Sequence, residues 1–212
     1  MRILVACEES QAVCKAFRKI GHEAYSCDIE PCSGGHPEWH LQVDALEMLK
    51  LPWDMIIAHP PCTYLTNAGA VRMRVNGEVV PERYEKAMEA KAFFMKFLEA
   101  DCPHIAVENP TPMKLVGLPP YTQAIQPYEF GHPYSKRTCL WLKGLPPLRP
   151  TELVENHVPF VNGGCKDANG NYRRFQGRKE RDAKTRSKTF PGIAQAMAEQ
   201  WGNLEEVLKD GN

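Results

Sequence analysis

A cysteine in a proline-rich stretch is the first residue of this sequence that could carry out a reaction. Cys62 directly follows Pro60 and Pro61, just beyond an apolar run that is typical of a buried strand. A rigid backbone and neighbouring peptide dipoles can hold such a thiol exposed and partly ionised. An exposed thiolate is a nucleophile that forms covalent adducts with electrophilic carbons. Because most cysteines are inert core residues, the hypothesis depends on the residues that surround Cys62.

Acidic and amide side chains follow several other apolar runs in the same way. These side chains are Glu8, Glu9, Asp28, Asp44, Glu108 and Asn109. Ligands of open parallel sheets bind outside the carboxyl ends of the strands, so we expect these residues to line one crevice. A carboxylate after the second strand can accept hydrogen bonds from both hydroxyls of a ribose. Asp28 stands at that position, where a carboxylate can also cap a turn.

The elements that must position these side chains alternate between strands and helices. Short apolar runs predict strands over residues 2–7, 23–29, 53–58, 104–107 and 138–142. Amphipathic periodicity predicts one helix between Ser10 and Gly21 and two more over residues 81–100 and 191–201. This alternation is typical of βαβ units. The sequence therefore predicts an α/β fold with a mainly parallel central sheet.

Composition excludes several classes of protein. With 212 residues, 43% of them hydrophobic and 25% charged, the chain can bury a full core and is not disordered as a whole. Its apolar runs are far shorter than the roughly 20 residues that a membrane span requires. The apolar run at the N-terminus is too short for a signal peptide, so we expect a cytoplasmic protein without a membrane span. Eight cysteines form no CxxC pair, and neither a disulfide framework nor a metal site is predicted.

Positive charge is concentrated towards the end of the chain. The whole sequence has a formal net charge of zero, but residues 162–188 carry nine basic and three acidic side chains. Such a local excess can bind phosphate groups. The predicted nucleic-acid-binding residues are Arg173, Arg174, Arg178, Lys179 and Arg181. We expect residues 146–186 to form a small basic insert in a catalytic domain made of residues 1–145 and 187–212.

Several motifs together resemble those of the DNA cytosine-5 methyltransferases. Residues 58–62, Ala-His-Pro-Pro-Cys, resemble the proline-cysteine catalytic loop of that family, and residues 107–109, Val-Glu-Asn, resemble its glutamate-asparagine motif. Residues 2–31 are similar to its first strand, helix and acidic second-strand end. Residues 135–140 resemble its arginine motif, and residues 188–192 its last motif. Each motif is short, but together they occur in the order of the family and span most of the chain.

The resemblance implies a fold, a reaction and roles for individual residues. The fold would be the Rossmann-like methyltransferase fold, with helices on both faces of the sheet, and the reaction would be methylation of carbon 5 of cytosine in DNA. Cys62 would add to carbon 6 of the ring while Glu108, with a raised pKa, protonates ring nitrogen 3. Arg137 would hold the carbonyl oxygen of the base, and Asn109 would order the loop. The target base would have to leave the double helix.

The cofactor implied by the resemblance is S-adenosylmethionine or a close derivative. The residues matched to cofactor motifs are Ala6, Glu8, Glu9, Asp28, Ile29, Asp44, Ala45, Pro60 and Thr189. The first motif departs from the glycine-rich pattern of the family, because it reads Ala6-Cys7-Glu8-Glu9-Ser10 and has side chains where hydrogens would let the backbone approach the ligand. A carboxylate at this point could instead pair with the ammonium group of the cofactor.

Two other functions stay open on the sequence alone. Thiolate addition to carbon 6 would also serve an enzyme that modifies pyrimidines of RNA or of free nucleotides, and the short insert favours this alternative. A DNA-binding protein of the same fold without turnover is the second, because the first motif is altered. A protein acting on DNA would be associated with the nucleoid. The sequence indicates no oligomeric state.

Overall fold

The structure, a computed structural model, describes residues 1–161, 163–166, 172–175 and 187–204. The helices within these residues are α1 (Ala12–Lys19), α2 (Ala45–Met48), α3 (Pro81–Leu98) and α4 (Pro191–Gly202). The strands are β1 (Arg2–Ala6), β2 (Glu23–Cys27), β3 (His40–Leu41), β4 (Met55–Ala58), β5 (Arg74–Val75), β6 (Glu78–Val79), β7 (His104–Pro110), β8 (Gln123–Ile125), β9 (Tyr134–Ser135), β10 (Thr138–Lys143), β11 (Val158–Pro159), β12 (Gly163–Lys166) and β13 (Tyr172–Phe175). Among the described residues, no helix has both the length and the apolar character that crossing a membrane requires.

Seven of the described strands form one central sheet in the order β3-β2-β1-β4-β7-β10-β8. The first five run parallel, and β10 is antiparallel to both β7 and β8. The prediction of a Rossmann-like α/β fold with a mainly parallel sheet is confirmed. The chain lays β2 and β3 on one side of β1 and then places β4 on the other side. Ligands bind outside the strand ends at such a reversal, which places the expected crevice beyond β1 and β4.

Helices cover both faces of the sheet, which explains why the central strands are continuous apolar runs. Helices α1 and α4 pack on one face, where Phe17 and Trp201 are fully buried. Helix α3 packs on the other face through Phe94 and Phe97. Burying a side chain of this size contributes about 2 kcal/mol. The two helical layers therefore hold the central strands, and the loops at their ends, in fixed positions.

Most predicted elements agree with the structure to within two residues. Helix α3 ends two residues earlier than predicted. Gly21 follows the end of α1 with a φ of +92°, the left-handed conformation that suits a terminating glycine. The first strand is one residue shorter than predicted, because Cys7 turns away from the sheet with a φ of 58°. Ser10 does not cap α1, since the residue at that position is Gln11, which makes no side-chain cap bond.

The beginning of the predicted insert packs on the main core. Leu148 is buried among side chains of α1 and α4, and the buried ring of Phe160 lies 4.9 Å from the ring of Phe190, centroid to centroid. Strand β11 pairs with β9, and β12 pairs with β13. The domain boundaries at residues 146 and 186 stay a prediction.

Candidate functional site

Two carboxylates act on one thiol at the carboxyl ends of β1, β2 and β3. Burial, and then the charges of Asp28 and Asp44, raise the pKa of the Cys7 thiol, so the three side chains share one environment. The backbone of Cys7 is left-handed, with a φ of 58°, a conformation that ordinarily favours glycine. The sequence replaces the glycine of the expected motif but keeps a glycine-like turn. We term Cys7, Asp28, Ile29 and Asp44 the acidic half of the crevice.

The carboxylates of the acidic half order the loops that carry them. Oδ1 of Asp28 accepts a hydrogen bond from the N–H of Glu30 at 3.0 Å. Oδ1 of Asp44 accepts one from the N–H of Leu46 at 2.9 Å, which caps helix α2. Next to Asp28, the side chain of Ile29 is 72% exposed. This half of the crevice therefore offers both an apolar surface and hydrogen-bond acceptors, a combination that suits a nucleoside.

Glu8 and Glu9 take different positions in the loop after β1. Glu8 is only 4% exposed, and its carboxylate accepts hydrogen bonds from the N–H groups of Val13 and Cys14 at 2.7 and 3.2 Å. Burial raises the pKa of Glu8. Its side chain thus caps the positive end of helix α1 and points into the protein interior. The Glu9 carboxylate lies 4.0 Å from Nζ of Lys188.

Strands β4 and β7 bring a histidine and a glutamate together beyond β4. Nδ1 of His59 lies 3.1 Å from Oε2 of Glu108, and each side chain is 13% exposed. The strands are parallel neighbours with Ala58 opposite Val107, so the next residue of each strand is also a neighbour. The backbone N–H of His59 donates to the carbonyl oxygen of Ala6 at 3.0 Å. That bond ties the loop after β4 to the end of β1.

The two side chains of this pair shift each other's pKa in opposite directions. Burial opposes the imidazolium of His59, but the hydrogen bond to Glu108 and the charges of Glu108 and Glu8 raise its pKa. Burial also opposes the carboxylate of Glu108, but the hydrogen bond and charge of His59, and the charge of Lys136, lower its pKa. The expectation of a raised pKa for Glu108 is therefore wrong, because a cation lies against its carboxylate.

Cys62 is half-buried in the loop after β4, and the charges of Lys136 and Glu108 act on its thiol. Its carbonyl oxygen accepts hydrogen bonds from the N–H groups of Leu65 and Thr66 at 3.0 and 3.2 Å, which closes the loop into a turn. Burial raises the pKa of the thiol, Lys136 lowers it and Glu108 raises it. The expectation of an exposed, partly ionised thiol is wrong, because burial is the largest of these effects. We term His59, Cys62, Glu108 and Lys136 the buried half of the crevice.

Lys136 and Arg137 precede β10 and have different surroundings, as neighbours in extended backbone do. Nη2 of Arg137 donates to the hydroxyl of Tyr121 at 2.8 Å, and the guanidinium lies 5.8 Å from the centroid of that ring. The charge of Lys136 instead acts on Cys62 and Glu108. Lys136 therefore acts on the buried half through its charge, with Nζ 5.9 Å from the centroid of the Phe190 ring, whereas Arg137 lies with Tyr121.

His59 and Lys136 are the members of the buried half that are not among the site residues predicted from the sequence. Each stands beside a predicted residue, since His59 belongs to the loop of Cys62 and Lys136 directly precedes Arg137. Successive residues of an extended segment face opposite sides. If Lys136 and Arg137 had both been considered for the side of the segment that faces the crevice, Lys136 could have been identified.

The other matched residues at the strand ends are buried and give the crevice its shape. Asn109 is almost fully buried, and its Nδ2 donates to the carbonyl oxygen of Pro110 at 2.6 Å. Oδ1 of Asn109 is buried and has no hydrogen-bond partner among the described residues. Ala6, Ala45 and Pro60 are also buried. These side chains present little polar surface to a ligand, so their contribution is steric.

Thr189 lies in a separate cleft between α1 and α4. The cleft has a volume of about 620 Å³, and Ser10, Lys15 and Lys188 also line it. Nζ of Lys188 donates to Oγ of Ser33 at 3.2 Å, which connects the last motif with the loop after β2. The residues that line this cleft include no member of the acidic half or of the buried half.

The structure locates only part of the remaining predicted ligand contacts. Arg173 and Arg174 lie on β13, whose backbone pairs with β12. Arg178, Lys179 and Arg181 lie outside the described residues. A role of these five residues in binding phosphates stays a prediction. Within the part of the chain that the structure describes, no group of three or more His, Cys, Asp or Glu side chains could hold a metal ion.

Two solved structures resemble parts of the chain at low sequence identity. No protein-family model and no curated protein matches it. One similar structure is described as a candidate DNA modification methyltransferase encoded within an E. coli prophage, with 14% identity and a TM-score of 0.44. Another is the Entamoeba histolytica methyltransferase EhMeth, with 14% identity and a TM-score of 0.45. Each similarity covers 73% of this chain, which spans only 52% and 57% of the two longer chains.

Proposed function

We propose that this chain is an S-adenosylmethionine-dependent methyltransferase that acts on carbon 5 of cytosine in DNA. The observation that carries the proposal is that the Cys62 loop follows β4, the parallel neighbour of the strand that carries Glu108, and that the charge of Glu108 acts on the Cys62 thiol. A nucleophile beside an acid–base group at the carboxyl edge of the sheet is suited to covalent catalysis. The acidic half lies on neighbouring strands of the same edge, where nucleoside ligands of such folds bind. The motif resemblance supplies the reaction class.

The residues of the acidic half fit S-adenosylmethionine, which supplies a methyl group on a positively charged sulfur when bound. Asp28 would accept hydrogen bonds from the ribose hydroxyls, Asp44 would contact the adenine, and the exposed Ile29 would cover one face of that ring. The left-handed turn at Cys7 keeps the backbone path that a close approach of the ligand requires. Glu8 caps α1, so we assign no cofactor contact to it.

The buried half would perform the covalent chemistry on the base. The Cys62 thiol gives up its proton to solvent, and the resulting thiolate attacks carbon 6. A carbon–sulfur bond forms, and the displaced electron pair moves through the ring to nitrogen 3. A proton that reaches nitrogen 3 through Glu108 neutralises this charge and leaves carbon 5 nucleophilic. After methylation, carbon 5 loses its proton, the carbon–sulfur bond breaks and the thiolate leaves, which restores the aromatic ring.

Lys136 is assigned the cationic role that the resemblance gave to Arg137. Its charge lowers the pKa of the Cys62 thiol against the effect of burial, which favours the reactive thiolate. An ammonium group in the buried half would also stabilise negative charge that develops on the base. Arg137, held by Tyr121, would shape the wall of the crevice, and Asn109 would order the loop.

DNA is the substrate that this chemistry and the basic insert favour together. A stacked cytosine has to be swung out of the double helix to reach a thiol, at a cost of a few kcal/mol. Contacts to the phosphates would hold the duplex during this step. We assign these contacts to Arg173, Arg174, Arg178, Lys179 and Arg181.

Mass spectrometry of nucleosides tests the proposal directly. The protein is incubated with DNA and methyl-labelled S-adenosylmethionine, and the DNA is then digested. We expect labelled 5-methyldeoxycytidine from the natural protein and from a Cys32→Ala control, and none from Cys62→Ala. Cys32 is a matched control because it is another half-buried thiol, whose Sγ contacts Oε1 of Gln11 outside the buried half. Unchanged product from Cys62→Ala would refute the covalent mechanism.

The second candidate function is a pyrimidine-modifying enzyme that acts on RNA or free nucleotides. The same assay with competing substrates distinguishes it from a DNA methyltransferase. The short length of the insert, in contrast to its charge, favours this candidate. Residues 146–186 are roughly forty residues, below the size at which a domain normally forms its own core. If RNA or cytidine nucleotides become labelled, and an excess of duplex DNA does not reduce that labelling, the second candidate is supported. DNA binding without any transfer of label would identify a binding protein and overturn the proposal.

A further inference from the structure

Three ionisable side chains form a row across the centre of the sheet edge. Glu8 follows β1, His59 follows β4 and Glu108 lies near the end of β7, and these three strands are adjacent. All three side chains are largely removed from solvent. The charge of Glu8 acts on His59, so the imidazole is influenced by two buried carboxylates. Packing alone does not require such a row, because apolar side chains of similar size would avoid the cost of desolvating charges.

The imidazole of His59 uses one ring nitrogen and leaves the other unpaired. Nδ1 lies 3.1 Å from Oε2 of Glu108, and Nε2 is buried without a hydrogen-bond partner among the described residues. An unpaired buried polar atom costs roughly 1–3 kcal/mol, and histidines that only support a fold ordinarily satisfy both nitrogens. The charged groups that act on His59 are Glu108 and Glu8, which favour its protonation, and Lys136, which opposes it.

We propose that His59 and Glu108 hold one proton between them and deliver it to ring nitrogen 3 of the cytosine when Cys62 attacks. This inference rests on the proposed function and adds a positioning residue to it. His59 stores the proton on Nδ1, and Glu108 is the group that touches the base. The resemblance provides no such histidine, and the 3.1 Å contact is what points to it.

The proton balance of the cycle closes on this pair. As the sulfur–carbon 6 bond forms and the electron pair reaches nitrogen 3, Nδ1 of His59 passes its proton to the Glu108 carboxylate, and Glu108 passes a proton on to nitrogen 3. This relay leaves a neutral imidazole and an ionised Glu108. When the thiolate of Cys62 later departs, nitrogen 3 returns the proton to the pair. The proton lost from carbon 5 passes to solvent, not to this pair.

The pair determines how the reaction rate depends on pH. Because the pKa of His59 is raised, the pair keeps its proton above the ordinary histidine value and loses it as the pH rises further. If His59 is removed, the carboxyl of Glu108 alone must hold that proton, and it releases it at lower pH than an imidazolium does. The high-pH loss of activity should therefore move to lower pH, which a merely structural histidine would not cause.

The pH profile of methyl transfer tests this inference with a matched histidine control. His157 is exposed and stacks on Tyr128 with ring centroids 3.9 Å apart, so His157→Gln should follow the natural protein. We expect His59→Gln to lose about 100-fold in rate near about pH 8 and less than about 10-fold near about pH 6. A His59→Gln profile parallel to that of the natural protein would overturn the inference. Absence of transfer by the natural protein at every pH would instead overturn the proposed function.

A titration by NMR covers the case in which His59→Gln does not fold. The ring signals of His59 are followed against pH in the natural protein and in Glu108→Gln. We expect His59 to titrate at lower pH in Glu108→Gln, because the carboxylate that favours the imidazolium is gone. The same titration in both proteins would show that the two groups share no proton and would overturn the inference without any measurement of activity.

Discussion

The two halves of the crevice are built from contacts of different range. In the acidic half, Asp28 and Asp44 bond to backbone N–H groups two residues further along the chain. In the buried half, His59 and Glu108 meet across 49 positions of the sequence. The acidic half is open to solvent, as the exposed Ile29 shows, whereas the buried half is mostly enclosed. The acidic half is thus formed by contacts between residues close in the sequence and is open to a ligand. The buried half depends on the pairing of distant strands in the sheet.

This difference predicts how each half responds to mutation. Charges in the buried half have lost much of their hydration and depend on one another, so removal of one partner leaves the other in an unfavourable site. Carboxylates of the acidic half keep water as an alternative partner, and their loss should reduce ligand binding more than stability. The following predictions test that contrast, beginning with the largest expected effect.

Removal of the carboxylate of the buried half should destabilise the protein strongly. Glu108→Ala leaves His59 without its partner and opens a small void, and we expect a loss of about 3 kcal/mol in the free energy of unfolding. Urea denaturation at neutral pH measures this quantity.

The matched control for that measurement is an exposed ion pair. Glu82 and Lys86 on α3 are 2.7 Å apart, and both side chains are exposed. Surface pairs contribute little, so Glu82→Ala should unfold at nearly the same urea concentration as the natural protein. If Glu82→Ala and Glu108→Ala lost the same free energy of unfolding, burial would not make the His59–Glu108 pair contribute more to stability than the exposed pair.

The acidic half should show the opposite pattern, with an effect on binding and little effect on stability. Asp28→Asn keeps the shape of the side chain and one oxygen acceptor but removes the charge, and we expect about a tenfold rise in the Kd for S-adenosylmethionine. Isothermal titration calorimetry measures this constant. Glu30→Gln removes a charge from an exposed neighbour and should bind as the natural protein does. An unchanged Kd in Asp28→Asn would remove Asp28 from the cofactor site.

The same contrast explains how much of the molecule could be predicted from the sequence. Apolar periodicity located the central strands and helices α1, α3 and α4, because burial on the sheet determines that pattern. The position of Asp28 after a strand could also be predicted, since its hydrogen bond is local. The direction of the pKa shift of Glu108 could not be predicted, because His59, which reverses that direction, is distant in the sequence.

Two further differences arise from the side that a residue faces. Lys136 and Arg137 are adjacent, and the motif resemblance selected Arg137, but the geometry of the segment gives Lys136 to the buried half. Glu8 was matched to the cofactor, yet the orphan N–H groups of α1 attract its carboxylate into the interior. In both cases packing decides which side chain of the predicted loop faces the crevice.

The smallest predicted effect concerns the turn at Cys7, where the acidic half departs from a glycine-rich motif. Its φ of 58° lies in the region that costs a residue with a Cβ about 1 kcal/mol relative to glycine. Cys7→Gly and Cys7→Ala both lose the thiol, so their difference isolates the backbone conformation. We expect Cys7→Gly to be the more stable of the two by about 1 kcal/mol in urea denaturation, the reverse of the usual order of glycine and alanine. A more stable Cys7→Ala would mean that the loop after β1 does not depend on a left-handed residue, and the acidic half would then lose the feature that fits it to a closely approaching ligand.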